Sequence, residues 1–243
     1  MQHYKLYYTS HYPGFTLENY VLLDVVYQKE LPYWIESKGM EHAWLKTYKP
    51  SIPIQISTIE GLLGDKLTAF APKTTGILYA KNRPLEIIKQ LYDIATLFDL
   101  TDDLPKVRDV FHKVAAQEIA FRNLSMDATS VLDDAFAASI KICDRDTNDP
   151  EFKYLQTGIV NIRPHIFKRF TLDDALVAAA KAMYLNRLLR DVDAAPKRFK
   201  SPQEVVDMLI PTIDYNRFNR LKKTNPEAFF YLYEAYLLIR DNQ

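Results

Sequence analysis

The stretch Thr58 to Leu100, TIEGLLGDKLTAFAPKTTGILYAKNRPLEIIKQLYDIATLFDL, decides the fold. It reads as two helices joined by a loop that contains Pro72 and Gly76. At about 100° per residue, Ile59, Leu62, Leu63, Leu67 and Phe70 share one stripe of the first helix, and Lys66 falls in the middle of it. A lysine aimed at an apolar face must snorkel to solvent or meet negative charge. The stripe is therefore either the wall of a site that holds an anion or the place where Lys66 pairs with a carboxylate.

The second helix starts near Pro84, a residue suited to the first helical position, and carries Leu85, Ile88, Leu91, Tyr92, Ala95 and Phe98 on its apolar face. Lys89 and Asp93 stand four residues apart at the edge of that face. The spacing fits a surface ion pair contributing a few tenths of a kcal/mol. It also fits two groups edging the pocket that Lys66 faces.

GDKLTAFAP at Gly64 to Pro72, followed by IIKQLYDIATLFDL at Ile87 to Leu100, resembles the abortive-infection AbiEii-type nucleotidyltransferase toxin family. That family carries a Lys-Leu-x-Ala helix after a glutamate, then an Arg-Asp-x-x-Asp helix. Lys66-Leu67-Thr68-Ala69 matches the first. Lys89-Gln90-Leu91-Tyr92-Asp93 matches the second, with Lys for Arg and Gln for the first Asp, and with the last Asp kept. The resemblance implies that Lys66 and Asp93 are catalytic, Lys66 on the triphosphate and Asp93 orienting it or supporting the lysine. It further implies Mg2+ and a nucleoside triphosphate as cofactors, an acceptor such as a tRNA end, a cognate antitoxin, and a role in defence against phage.

Upstream, His3 to Thr9 alternates with a period of two and reads as a strand, His11-Tyr12-Pro13-Gly14 marks a turn, and Tyr20 to Tyr27 is an apolar run of strand length. Two strands so joined are antiparallel neighbours. Asp24 sits within the second run, either as a buried carboxylate needing a metal or basic partner, or on a face that meets solvent. The resemblance makes Asp24 the third metal-side carboxylate. Leu31 to Pro53 reads as an irregular or weakly helical connection, and Ser51 to Ser57 alternates Ile52, Ile54 and Ile56 as one more strand. The loop Pro72 to Ile77 offers Lys73, Thr74, Thr75 and Gly76, and backbone N–H groups there suit phosphate, although no P-loop pattern is present. Lys66, Lys89, Lys73 and Thr74 are accordingly the expected nucleotide contacts.

After Thr101 the chain reads as helix: one from Asp102-Asp103-Leu104-Pro105, others over Ser125 to Cys143, Glu151 to Phe170, Leu172 to Val192 and Pro226 to Arg240, with a capping box at Ser201 to Glu204 ahead of another helix. The expected class is α+β, a partial nucleotidyltransferase-type mixed sheet followed by a larger all-helical region. Residues 1–100 would be the distal part of a catalytic domain and 101–243 a helical C-terminal domain. Arg163, His165, Lys168 and Arg169 form one basic cluster, and Lys197, Arg198 and Lys200 another. Both read as solvated faces, or as phosphate contacts if the protein binds RNA.

Nothing in the composition points elsewhere. The 243 residues are 48% hydrophobic and 26% charged, as in ordinary globular proteins, and 31 basic side chains balance 31 acidic ones. No apolar run approaches the roughly 20 residues that cross a bilayer. A single cysteine, Cys143, fits a core position and a reducing cytoplasm. The family's Gly-Ser loop and sheet-borne Asp-x-Asp are missing: no Gly-Ser occurs, and Asp-x-Asp appears only at Asp144–Asp146 and Asp191–Asp193, both late. The expectation is an N-terminally truncated member, inactive or very weak alone. The competing expectation is a non-catalytic helical module that binds protein or RNA.

Overall fold

Residues Gln2–Thr9 (β1) and Glu18–Val25 (β2) pair antiparallel, with Gln2 opposite Val25 and Thr9 opposite Glu18. The computed structural model describes residues 2–9, 18–27, 30–41, 50–190 and 195–241. The turn expected at His11 to Gly14 lies outside them. The β1–β2 hairpin belongs to a compact unit of its own, Met1–Leu31, and the rest of the chain forms a second, Pro32–Gln243.

The second unit opens with Ile35–Gly39 (β3) and Pro53–Ser57 (β4), an antiparallel pair with Ile35 opposite Ser57. Pro53 stands at the strand start, where its missing N–H is tolerated. β3 lies in the segment expected to be irregular. Its sequence, IESKG, contains one strongly apolar residue, so it gives no alternation to read, and pairing with β4 makes it a strand.

Helices follow: Ile59–Ala69 (α1), Pro84–Phe98 (α2), Leu104–Phe121 (α3), Ala128–Asp144 (α4), Pro150–Asn161 (α5), Leu172–Leu188 (α6), Leu221–Thr224 (α7) and Pro226–Asp241 (α8). Their starts are chemically marked. Thr58, Asp103, Asp127 and Asp149 accept backbone N–H bonds at the N-termini of α1, α3, α4 and α5, and Thr171 with Asp174 closes a capping box on α6. Two expected helices end early. α5 stops at Asn161 because Pro164 lies just beyond, and residues 195–220 contain only short 3-10 turns. The capping box at Ser201 and Glu204 forms, but it opens one such turn, Pro202–Val205.

α6 is the centre of the core. It is buried nearly all round, from Ala175 to Leu188, and packs against α8, α4 and α2. Its alanines let neighbours approach closely, while Tyr184 and Tyr231 close on Phe98 edge-on at 6.1 and 5.8 Å. Lys181, with a side chain only 8% exposed, is neutralised by Asp99 at 2.7 Å and Glu227 at 3.1 Å. Cys143 is buried beside Met183, and burial holds its thiol far above the usual range, so it is a packing residue. The class is α+β: among the described residues, two small two-stranded antiparallel sheets and a large helical region, with α1 and α2 inside the helical unit.

Candidate functional site

α1 and α2 bring Lys66 and Asp93 together. Lys66 Nζ lies 3.1 Å from Asp93 Oδ2, with the two side chains 27% and 39% exposed. Lys89 does not join them. It turns back to Glu86 at 3.0 Å, one turn toward the N-terminus of α2.

The position of Lys66 differs from the sequence expectation. Leu63, Leu67 and Phe70 are fully buried, but Leu62 is 39% exposed, and Gly61, Gly64 and Thr68 are buried in its stead. The buried face is rotated toward the small residues because α3 crosses α1 at Gly64. A Cβ there would stand 2.8 Å from the Val107 carbonyl oxygen and 2.9 Å from the Phe111 nitrogen. Lys66 therefore lies at the margin of the core face, where its stem packs and its ammonium reaches the edge of α2. A hydropathy wheel weights leucines and cannot see a face made of glycine.

Beside it, Asp65 was not singled out by sequence reasoning. Its carboxyl accepts a hydrogen bond from the Tyr33 hydroxyl at 3.1 Å and lines a cavity of about 170 Å³ with Thr68, Thr75, Glu118 and Arg122. Burial pushes the Asp65 carboxyl above the usual carboxylate range, against the lowering effect of Tyr33 and Lys66. Burial and the Asp65 charge together push the Tyr33 phenol up. The only prior signal was its place between Gly64 and Lys66 in the motif.

The loop between α1 and α2 is filled by the chain itself. The Lys73 N–H and the Thr74 hydroxyl donate to Asp134 Oδ2 at 2.7 and 2.9 Å, so a carboxylate from α4 takes the donors expected for phosphate. Lys73 Nζ pairs with Glu151 at 2.8 Å. Arg122 donates to the Thr74 and Gly76 carbonyls, and Thr75 donates to the Thr68 carbonyl. Gly76 is required by close approach: a Cβ would meet the Ala69 carbonyl oxygen at 2.4 Å.

Asp24 belongs to the hairpin unit. It faces His3 across the strands, with Oδ1 2.6 Å from His3 Nδ1, and both side chains are about half exposed. Of the two openings in its sequence reading, a face that meets solvent is the one observed. Among the described residues no group of three or more His, Cys, Asp or Glu is placed to hold a metal ion. Magnesium prefers octahedral oxygen coordination anchored by carboxylates, and one carboxylate paired with an imidazole does not supply it. Asp144, from one late Asp-x-Asp, is held by Arg217, and Asp191 and Asp193 lie outside the described residues.

Of the two basic clusters, one has two of its three side chains held internally. Lys197 pairs with Glu234 at 2.8 Å, and Arg198 donates to the Phe98 and Thr101 carbonyls while stacking 4.0 Å over the Phe98 ring. The cluster at Arg163 to Arg169 is exposed.

The family model for the nucleotidyl transferase AbiEii toxin of the type IV toxin–antitoxin system matches residues 1–199, the greater part of the chain. The chain belongs to the AbiEii nucleotidyltransferase toxin family. Membership in a toxin–antitoxin system suggests an antitoxin partner. No curated protein and no solved structure matches the chain. Among the described residues no helix is long and apolar enough to cross a membrane.

Proposed function

We propose that this AbiEii-family chain uses the Lys66–Asp93 pair to receive the triphosphate of a nucleoside triphosphate whose nucleotide goes to an acceptor such as a tRNA end. The observation that carries this reading is the 3.1 Å ion pair joining the two helices on which the motif resemblance rests. In nucleotidyl transfer an acceptor hydroxyl attacks the α-phosphorus, the bond to the bridging oxygen breaks, and pyrophosphate leaves with added negative charge. Lys66 is suited to that charge because its ammonium is positioned, partly desolvated and compensated by Asp93 before substrate arrives. Asp93 holds the lysine in place, and Lys89 would add a second cation only on leaving Glu86. Lys73 and Thr74 join only where Asp134 releases them.

Magnesium, which the family implies, would supply positive charge when bound; Asp24, the carboxylate expected to face it, is paired with His3 and does not hold it alone, so no role here is routed through the metal. The sequence contains no Gly-Ser and no early Asp-x-Asp, so activity of this chain alone is expected to be nil or very weak. The proposed setting is the cytoplasm, in phage defence. The test is binding of a fluorescent nucleoside triphosphate with and without Mg2+ by full-length wild type, Lys66→Ala and Asp93→Asn, with circular dichroism as the folding control. The expected result is Mg2+-dependent binding lost in Lys66→Ala and weakened in Asp93→Asn. A folded wild type that binds no nucleotide with any divalent cation, or Lys66→Ala binding equally well, refutes the proposal and leaves the non-catalytic helical module.

A further inference from the structure

The β1–β2 hairpin carries two chemically different faces. Residues paired directly across antiparallel strands share a face. Gln2, Tyr4, Leu6 and Tyr8 therefore stand with Val25, Leu23, Val21 and Asn19, while His3, Lys5 and Tyr7 stand with Asp24, Leu22 and Tyr20. The second of these faces is knitted together by its own groups. His3 meets Asp24, the Lys5 ammonium lies 4.5 Å from the Tyr20 ring centre, and Tyr7 packs edge-on to Tyr20 at 5.8 Å. The first face holds no charged side chain, and the Tyr4 hydroxyl is already satisfied within it by Gln2 Oε1 at 2.6 Å.

This apolar face is uncovered. None of the hairpin unit's described residues is buried, and Tyr4, Leu6, Tyr8, Val21 and Leu23 are between 45% and 57% exposed. A lone two-stranded hairpin is marginal in water until its apolar face packs against something. Half of five large side chains amounts to roughly 400–500 Å², the patch size that marks an interaction site. Closing two such faces on each other removes roughly 800–1,000 Å², and Val25 at the end of the face brings the total to the lower bound of a specific interface, about 1,000 Å². A copy also suits the chemistry. With no charge on the face, closure creates neither like-charge repulsion nor a buried unpaired ion, whereas an acidic or basic partner finds no counter-charge there. Two twisted two-stranded sheets stack at about 30° into a four-stranded sandwich, which supplies the second layer that the hairpin lacks.

We infer that the Tyr4–Leu6–Val21–Leu23 face of the hairpin docks on the same face of a second copy of this chain, giving a two-fold dimer. The His3–Asp24 face stays outward, so the inference stands apart from the triphosphate reading and its test uses no nucleotide. An interface at the lower size bound gives a micromolar dimer, with a midpoint of about 1–100 µM. The test is sedimentation velocity of the full chain from about 1 to about 200 µM, a range set by that midpoint, with circular dichroism as the folding control. The expected result is a mass rising from one chain to two across the range. Leu6 and its cross-strand partner Val21 lie near the middle of the face, so two-fold packing brings the Leu6 positions of the two copies close together. Leu6→Glu and Leu6→Lys should each shift the midpoint upward by about ten-fold or more, because like charges then meet in the contact. An equimolar mixture of the two should dimerise again, opposite charges now meeting, a restoration that a misfolded hairpin cannot give. Leu6→Thr/Val21→Thr keeps β-branched strand formers and should weaken the dimer about ten-fold without adding charge. Tyr7→Ser, on the opposite face, should leave the midpoint within about two-fold of wild type, as surface changes outside an interface do. A chain that stays monomeric throughout the range overturns the inference. So does a dimer whose midpoint is unmoved by Leu6→Glu or by Leu6→Thr/Val21→Thr, since the copies then meet elsewhere. A mixture of the Glu and Lys variants that stays monomeric overturns it equally.

Discussion

Gly64→Ala tests the crossing that sets the direction of Lys66. In an ordinary helix the change is favourable by about 1 kcal/mol, because alanine is the better helix former. Here the added methyl would sit 2.8 Å from the Val107 carbonyl oxygen, 2.9 Å from the Phe111 nitrogen and 3.2 Å from the Val110 Cβ. Two of those atoms are backbone and cannot rotate aside, so α1 must move off α3 at an overpacking cost of roughly 1–3 kcal/mol. The net expectation is destabilisation by about 1–2 kcal/mol at the upper part of that range, or a urea midpoint lower by about 0.5–1 M for a slope near 2 kcal/mol/M. Far-UV circular dichroism follows the helices during the titration. Leu62→Ala, at an exposed position of the same helix, is the control and changes the midpoint little. A midpoint that rises for Gly64→Ala means the propensity gain was realised in full, and the close α1–α3 approach would then be wrong.

Gly158→Ala faces a tighter obstruction, with the new Cβ 2.3 Å from the Pro84 carbonyl oxygen, and should unfold at lower denaturant than Gly64→Ala. Arg198→Ala removes two charge-assisted hydrogen bonds, to the Phe98 and Thr101 carbonyls, and a stacked ring; a loss of about 2–3 kcal/mol is expected in the same titration. Lys66→Met should cost only about 0.5–1 kcal/mol of stability, since the pair is partly exposed, while abolishing nucleotide binding; equal damage to both would make Lys66 a structural residue. Asp65 titrates with a raised folded-state pKa, so the stabilisation it brings is present below the ordinary carboxylate value and is lost as pH rises through the folded value. Wild-type stability relative to Asp65→Asn should accordingly fall as pH rises from the ordinary carboxylate value, and a flat or rising difference would remove burial as the dominant cause. Lys181 has the same sign for a different reason: burial lowers its pKa, but Asp99 and Glu227 outweigh it, so its contribution persists to alkaline pH and disappears only above the ordinary lysine range.

Much of the helical unit could be read from residues alone. Pro84, Asp103, Asp127, Asp149 and Thr171 announce helix starts through chemistry that acts within one turn, so neighbours in sequence suffice. What escaped depends on partners distant in sequence. β3 is a strand because β4 pairs with it, and the buried face of α1 is set by α3 meeting Gly64. α2 likewise buries Ile87 and Ile94 as well as its expected face, because it packs against α1, α5 and α6 together. The motif resemblance named Lys66 and Asp93, and the structure joins them. It passed over Asp65, whose significance comes from Tyr33, 32 residues earlier. Whether a basic cluster is spare or spent was also illegible, since Lys197 is satisfied by Glu234 and Arg198 by carbonyls of Phe98 and Thr101.

Asp134 on the α1–α2 loop has a consequence for competition. The carboxylate is a ligand tethered to the same framework as its donors, so its local concentration far exceeds the millimolar values typical of flexible tethers. A free phosphate in solution, present at millimolar levels or less, does not displace it by mass action. Displacement requires a ligand anchored elsewhere on the protein, one whose own tether matches that of Asp134. The loop thus holds its own carboxylate against loose anions.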